Sequence, residues 1–266
     1  MSQQDKVSST FHDHILATAS ELAGVLRPVS ERLDEVLKKI EEVKDVESSQ
    51  DYLAVLRVAE LFCAYPGVRL VFEEPWSGGS VSLNVRPHDL VAYADSLRVV
   101  NEVRRIRENK SGASEFSKRA RKGFVELPNR LSDLIGLIRE KQVQLQGGVP
   151  NILWFVSRNI LFDKQNIRDA CWFEREGHLL RPADQVEPTY SMLPDLVGLG
   201  WLFDSSRSST SCTPHCFVLR SNPQVEEFLK RSGVCMGKEC LDCAPALPRA
   251  HKARVKSEAA QIAPPS

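Results

Sequence analysis

The run Ile152-Leu153-Trp154-Phe155-Val156, just after Pro150, constrains the fold more than any other stretch, because five consecutive apolar residues leave no polar face for solvent. Such a run suggests a strand buried on both faces, which requires a sheet with cover on each side. The chain's 266 residues are enough for that core in one large domain, with or without extensions. Hydrophobic residues make up 42% and charged residues 26%, a globular composition that argues against wholesale disorder. The 35 Lys and Arg balance the 35 Asp and Glu, so overall charge points to no nucleic-acid partner and local charge has to carry that argument.

Upstream of that run the hydrophobic period changes. From Phe11 to Glu47 apolar residues recur at helical spacing, among them Ile15, Leu22, Leu26, Leu33, Val36 and Ile40, with Pro28 opening a second helix. Ser48 to Asp51 caps a further helix from Tyr52 to Ala64, stopped by Pro66-Gly67. The period then shortens. Val68–Phe72, Ser80–Val85 and Leu90–Ala94 are β-rich and separated by Pro75, Gly78-Gly79 and Pro87-His88-Asp89, which predicts a three-stranded antiparallel meander. A long helix is expected from Leu127 to Gln146, then the buried strand, then a helix from Asp163 to Trp172. Strands at Leu196–Phe203 and Cys216–Leu219 follow, and then a helix opened by Asn222-Pro223 and closed by Gly233. The order is α-βββ-α-β-α, an α/β sandwich. It divides the chain into a leader and helical extension (1–47), an α/β domain (48–233), and a Cys-containing segment with a basic disordered tail (234–266).

Two local features bear on partners and metals. Residues 97–122 hold nine basic residues against three acidic. There Arg104, Arg105, Lys118, Arg119, Arg121 and Lys122 can meet the phosphates of DNA or RNA, although the same run also fits a solvated helix and loop. Cys212, Cys216, Cys240 and Cys243 supply the ligand type of a structural Zn2+ site, with Cys235 as a spare, and otherwise read as reduced thiols. No apolar run reaches the ~20 residues of a membrane span. The polar start from Met1 to Thr10 has no secretory-signal profile, so a cytoplasmic or otherwise intracellular protein with no membrane partner is expected. Neither a glycine-rich phosphate loop nor a G-x-S-x-G elbow is present.

By this element order, residues 50–175 resemble the PD-(D/E)XK nuclease superfamily, the restriction-endonuclease-like fold. In that family the second and third strands carry an Asp and then Asp/Glu-x-Lys. The resemblance implies that the two carboxylates bind Mg2+, that the Lys helps position and activate the attacking water, and that a Glu on the first helix sometimes joins the site. On the strands as read, Glu60 takes the first-helix position, Ser82 the first Asp position, and Asp95-Ser96-Leu97 the Asp/Glu-x-Lys positions. Ser82 offers a neutral hydroxyl where Mg2+ takes a carboxylate, and Leu97 cannot orient water. The implied function is therefore an eroded nuclease that binds nucleic acid or a protein without cutting. Two alternatives stay open. In one, Asp89 replaces Ser82 from the turn beside Asp95 and Glu60, and Arg98 or a Lys from the following helix leans in, giving an active Mg2+-dependent nuclease with a displaced site. In the other, the helices over 11–47 mediate self-association or hold a protein partner, and the α/β domain is scaffold.

Overall fold

The computed structural model of the chain describes residues 3–43, 45–75, 87–106, 137–138, 141, 144–157, 167, 195–204 and 213–236. In chain order these residues form α1 (Gln3–Leu26), a 3-10 turn (Arg27–Val29), β1 (Ser30–Glu31), α2 (Leu33–Glu42) and α3 (Val46–Phe62). There follow β2 (Arg69–Glu74), β3 (His88–Ala94), β4 (Leu97–Ile106), β5 (Asn151–Ser157), β6 (Leu196–Phe203), β7 (His215–Val218), α4 (Pro223–Arg231) and β8 (Cys235–Met236). The fold is α/β, and its eight strands make one mixed sheet whose spatial order follows the chain order. β3 runs antiparallel to β2 and β4, whereas β4, β5 and β6 are mutually parallel. β7 turns back on β6, and the two-residue strands β1 and β8 close the edges.

Local chemistry explains where the helices begin. Asp45 accepts hydrogen bonds from the Glu47 and Ser48 amides and so starts α3. Asn222 does the same for the Val225 amide, with Pro223 in the first turn of α4. The chain leaves α4 through Gly233 at φ +75°, a conformation glycine adopts without steric cost.

β5 is buried along its whole length. Ile152, Trp154 and Val156 join one apolar cluster, and Leu153 and Phe155 join another on the opposite face. The first cluster takes Ile15 and Leu26 from α1, Ile40 from α2, Leu56 and Phe62 from α3, and Phe228 from α4. The second packs Leu153, Phe155, Leu199 and Trp201 against Ile138 and Ile167, both in helical backbone. The sheet is thus covered on both sides, as the apolar run requires. The N-terminal helices read as an extension spend their apolar stripes in this shared core. Among the described residues only Val25, 51% exposed, is a large apolar side chain open to solvent.

Two of the expected meander strands stand where the sequence places them, 68–72 as β2 and 90–94 as β3, but they pair directly and the third strand is β4. The expected strand at 80–85 lies outside the described residues. β4 occupies the start of the stretch read as a basic, solvent-facing segment. Consequently the 152–156 run pairs with β4 and β6 rather than with the strand that ends at Ala94, which is two positions away in the sheet. Of the helices expected at 127–146 and 163–172, only helical backbone at Leu137, Ile138, Lys141 and Ile167 falls within the described residues. No helix among them is long and apolar enough to cross a membrane.

Candidate functional site

β3 and β4 form a tight hairpin closed by the Ala94–Leu97 pair, and Leu90 lies opposite Asn101. Continuing that register by one residue sets Asp89 opposite Glu102, since cross-strand partners in an antiparallel pair share a face. Glu102 is aligned with Leu153 of β5, a member of the second cluster, so the carboxylates belong to the sheet face away from α1–α4.

Lys141 reaches this pair from the helical backbone that covers that face. Its Nζ donates to Asp89 Oδ2 at 3.1 Å and to Glu102 Oε2 at 3.2 Å. The Val103 amide donates to Asp89 Oδ2 at 2.8 Å, fixing this carboxylate from the neighbouring strand. The second oxygen of Glu102, Oε1, lies 3.1 Å from Nδ1 of the buried His88, whose Nε2 is 3.2 Å from Gln146 Oε1. Arg98 NH1 also donates to Gln146 Oε1, at 2.7 Å, and its NH2 donates to Glu74 at 2.8 Å. Because an arginine carries only donors, Gln146 Oε1 must be the acceptor. His88 Nε2 therefore meets it as an N–H, and His88 Nδ1 and Glu102 Oε1 share a proton between them. Asn151 locks the Gln146 backbone through its side-chain oxygen and nitrogen, at 3.0 and 2.9 Å.

Accessibility is graded across the cluster. The Glu102 side chain is 0% exposed, that of Lys141 12% and that of Asp89 28%, so any ligand enters on the Asp89 side. Burial raises the Glu102 pKa above the ordinary glutamate value, and the His88 hydrogen bond and the Lys141 charge work against that rise. Burial also opposes the Lys141 ammonium. The Asp89 and Glu102 carboxylates outweigh it and hold the lysine above its usual range. Asp89, Glu102 and Lys141 thus form a charge-paired cluster in low-dielectric surroundings, with one ammonium between two acids.

The other residues singled out from sequence lie elsewhere. Asp95 occupies the hairpin turn at φ +53° and accepts a hydrogen bond from the Tyr65 hydroxyl at 2.9 Å. It lies six residue steps along the strand from Asp89, about 20 Å at ~3.3 Å per residue, too far for a shared ligand. Glu60 belongs to α3, in the layer on the opposite face, and pairs with Arg57 at 3.1 Å. Leu97 packs against the first cluster, and Ser82 lies outside the described residues. Asp89 alone of the expected acidic residues reaches the site.

Arg105, expected to touch phosphate, is instead half-buried and ion-paired with Glu47 and with Asp51, the latter at 2.8 Å. Arg104 is half-buried on β4, and Lys118, Arg119, Arg121 and Lys122 lie outside the described residues. Cys216 is completely buried, its thiol pushed up to about 12 by burial, which disfavours the thiolate that zinc takes. Cys212, Cys240 and Cys243 lie outside the described residues, and Cys235 is disulfide-bonded rather than a spare thiol. Among the described residues no group of three or more His, Cys, Asp and Glu side chains converges as a metal site.

The site's lysine comes from the helix that the displaced-site alternative drew on, whereas Glu102, His88 and Gln146 were hidden for identifiable reasons. Pro87-His88-Asp89 has the composition of a turn, and Glu102 is an acid inside a basic run. The usable signal is spacing: Asp89 and Glu102 are thirteen residues apart, the same separation as Ser82 and Asp95, with the frame shifted by seven. In comparisons with known proteins no family model matches the chain, and neither a curated protein nor a solved structure matches it.

Proposed function

We propose that the protein is a divalent-cation-dependent nuclease of the PD-(D/E)XK type, with Asp89 and Glu102 as its cation-binding carboxylates and Lys141 as the ammonium beside them. The observation that carries this reading is the pairing of two carboxylates on adjacent antiparallel strands with one ammonium within 3.2 Å of both. It supports the displaced-site alternative, with Glu102 rather than Asp95 as the partner of Asp89. β3 and β4 are the second and third strands of the meander, the strands on which the resembled family carries its acids. Arg104 stands two residues after Glu102, where that family carries Lys, so the lysine role passes to Lys141.

The donor set fits Mg2+ or Mn2+, which take oxygen ligands and need only one or two carboxylates besides water. The lysine ammonium between the acids marks the position as one that favours positive charge. When bound, the divalent ion supplies Lewis acidity toward a phosphodiester and lowers the pKa of a coordinated water. Asp89, the more exposed acid, and Glu102 hold it. His88 and Gln146 keep Glu102 in place, and Lys141 offers its ammonium to the charge that builds on the phosphate. Lys118, Arg119, Arg121 and Lys122 of the basic run are the proposed contact for the remaining phosphates.

The test is cleavage of end-labelled single- and double-stranded DNA and RNA with Mg2+ or Mn2+. Cutting is expected, with a loss of roughly a hundredfold or more in Asp89→Asn, as removal of a cation ligand entails. Asp95→Asn and Glu60→Gln should cut normally. The complete burial of Glu102 favours one rival, the eroded module, in which the same network is a static set of ion pairs. Absence of cutting with every cation and substrate, with nucleic-acid binding retained, would establish that rival instead.

A further inference from the structure

We propose that Lys141 is a built-in occupant of the cation position, its ammonium holding the gap between Asp89 Oδ2 and Glu102 Oε2 until a divalent ion displaces it. This deepens the reading of the same site and rests on it. The two oxygens that Lys141 contacts, at 3.1 and 3.2 Å, are the pair that faces the gap, because Glu102 Oε1 is committed to His88. Both acids are anchored independently of the lysine, Asp89 by the Val103 amide and Glu102 by the buried imidazole. Lys141 is the mobile member, a point charge on a flexible four-carbon stem. The buried Glu102 carboxyl loses hydration beside the half-buried Asp89 carboxylate, so a positive charge between them stabilises the fold whether or not a divalent ion is available. An ammonium and a divalent cation cannot share that gap, since like charges a few ångströms apart disfavour each other. The lysine therefore keeps the unloaded site folded and sets a threshold for loading it.

Mn2+ titrated calorimetrically into the full chain distinguishes the cases. Lys141→Gln, which removes the competing charge and keeps a polar side chain, should bind Mn2+ at least about tenfold more tightly than the native protein, while Lys141→Arg should show no gain. In the native protein, labelling by an amine-acylating reagent, read at Lys141 by mass spectrometry, should increase when Mn2+ is added. If Lys141→Gln does not fold, this labelling decides alone, and labelling unchanged or reduced by Mn2+ overturns the proposal. Mn2+ binding by the native protein with no tightening in Lys141→Gln overturns this inference and leaves the nuclease reading standing. Absence of Mn2+ binding in both overturns both.

Discussion

Glu102 has no exposed surface, and a carboxylate in that position is costly unless it is neutralised or paired. It is paired with Lys141 and shares a proton with His88, yet burial still holds its pKa above the ordinary glutamate value. The sign of the linkage follows. A carboxyl whose folded pKa is raised contributes stability below its unfolded pKa, and that contribution is lost as pH rises through the folded value. In Glu102→Gln this loss disappears. Urea midpoints measured from about pH 4 to about pH 8 should therefore move in favour of Glu102→Gln, relative to the native chain, as pH rises. A constant difference across that range would mean that Glu102 is ionised as readily in the fold as outside it. At this scale the sequence was only partly legible. Asp89 was visible as a candidate because it sits in a punctuated turn next to a strand. Glu102 was not, because a buried charge that is paired by a residue thirty-nine positions away carries no local mark.

Among the elements, β4 shows how a buried strand can carry charge. Val99, Asn101 and Val103 face the helical layer on one side, where the Trp154 indole donates to Asn101 Oδ1 at 3.0 Å. Arg98, Glu102 and Arg105 are all tolerated because each finds a partner: Glu74, Lys141, and the Glu47–Asp51 pair. Charge composition alone reads such a strand as a solvated segment, and that hid the third strand of the meander. β5 and β6 were legible because their apolar runs have no other home. Their packing was not, since it depends on a glycine. Gly200 lies beside Trp154, and a Cβ there would collide with the indole ring. Gly200→Ala should accordingly destabilise the fold by about 1–3 kcal/mol, the range for overpacking a filled core. Thermal or chemical denaturation checks this, and an unchanged midpoint would show that Trp154 has room to move. The capped helices, by contrast, were readable from single residues: Asn222-Pro223 opens α4 and Gly233 ends it, as the sequence predicts.

At the scale of the whole molecule, the sheet separates two jobs. The face toward α1–α4 holds the larger apolar cluster and includes the N-terminal helices, whose stripes would otherwise have been free for a partner. The opposite face holds the smaller cluster and, beside it, the Asp89–Glu102–Lys141 group. An α/β sandwich was readable from element order, because a doubly buried strand between helical segments admits few layerings. The register of two strands was not, and a seven-residue slip moved the candidate acids from one end of a hairpin to the other. The central claim is that a divalent ion binds between Asp89 and Glu102. Anomalous diffraction from crystals of the full chain soaked in Mn2+ tests it most directly. The account predicts a peak in contact with Asp89 Oδ2 and Glu102 Oε2, with Lys141 withdrawn from both oxygens. Mn2+ bound at another place, or Lys141 still bridging the two carboxylates at saturating Mn2+, would contradict it.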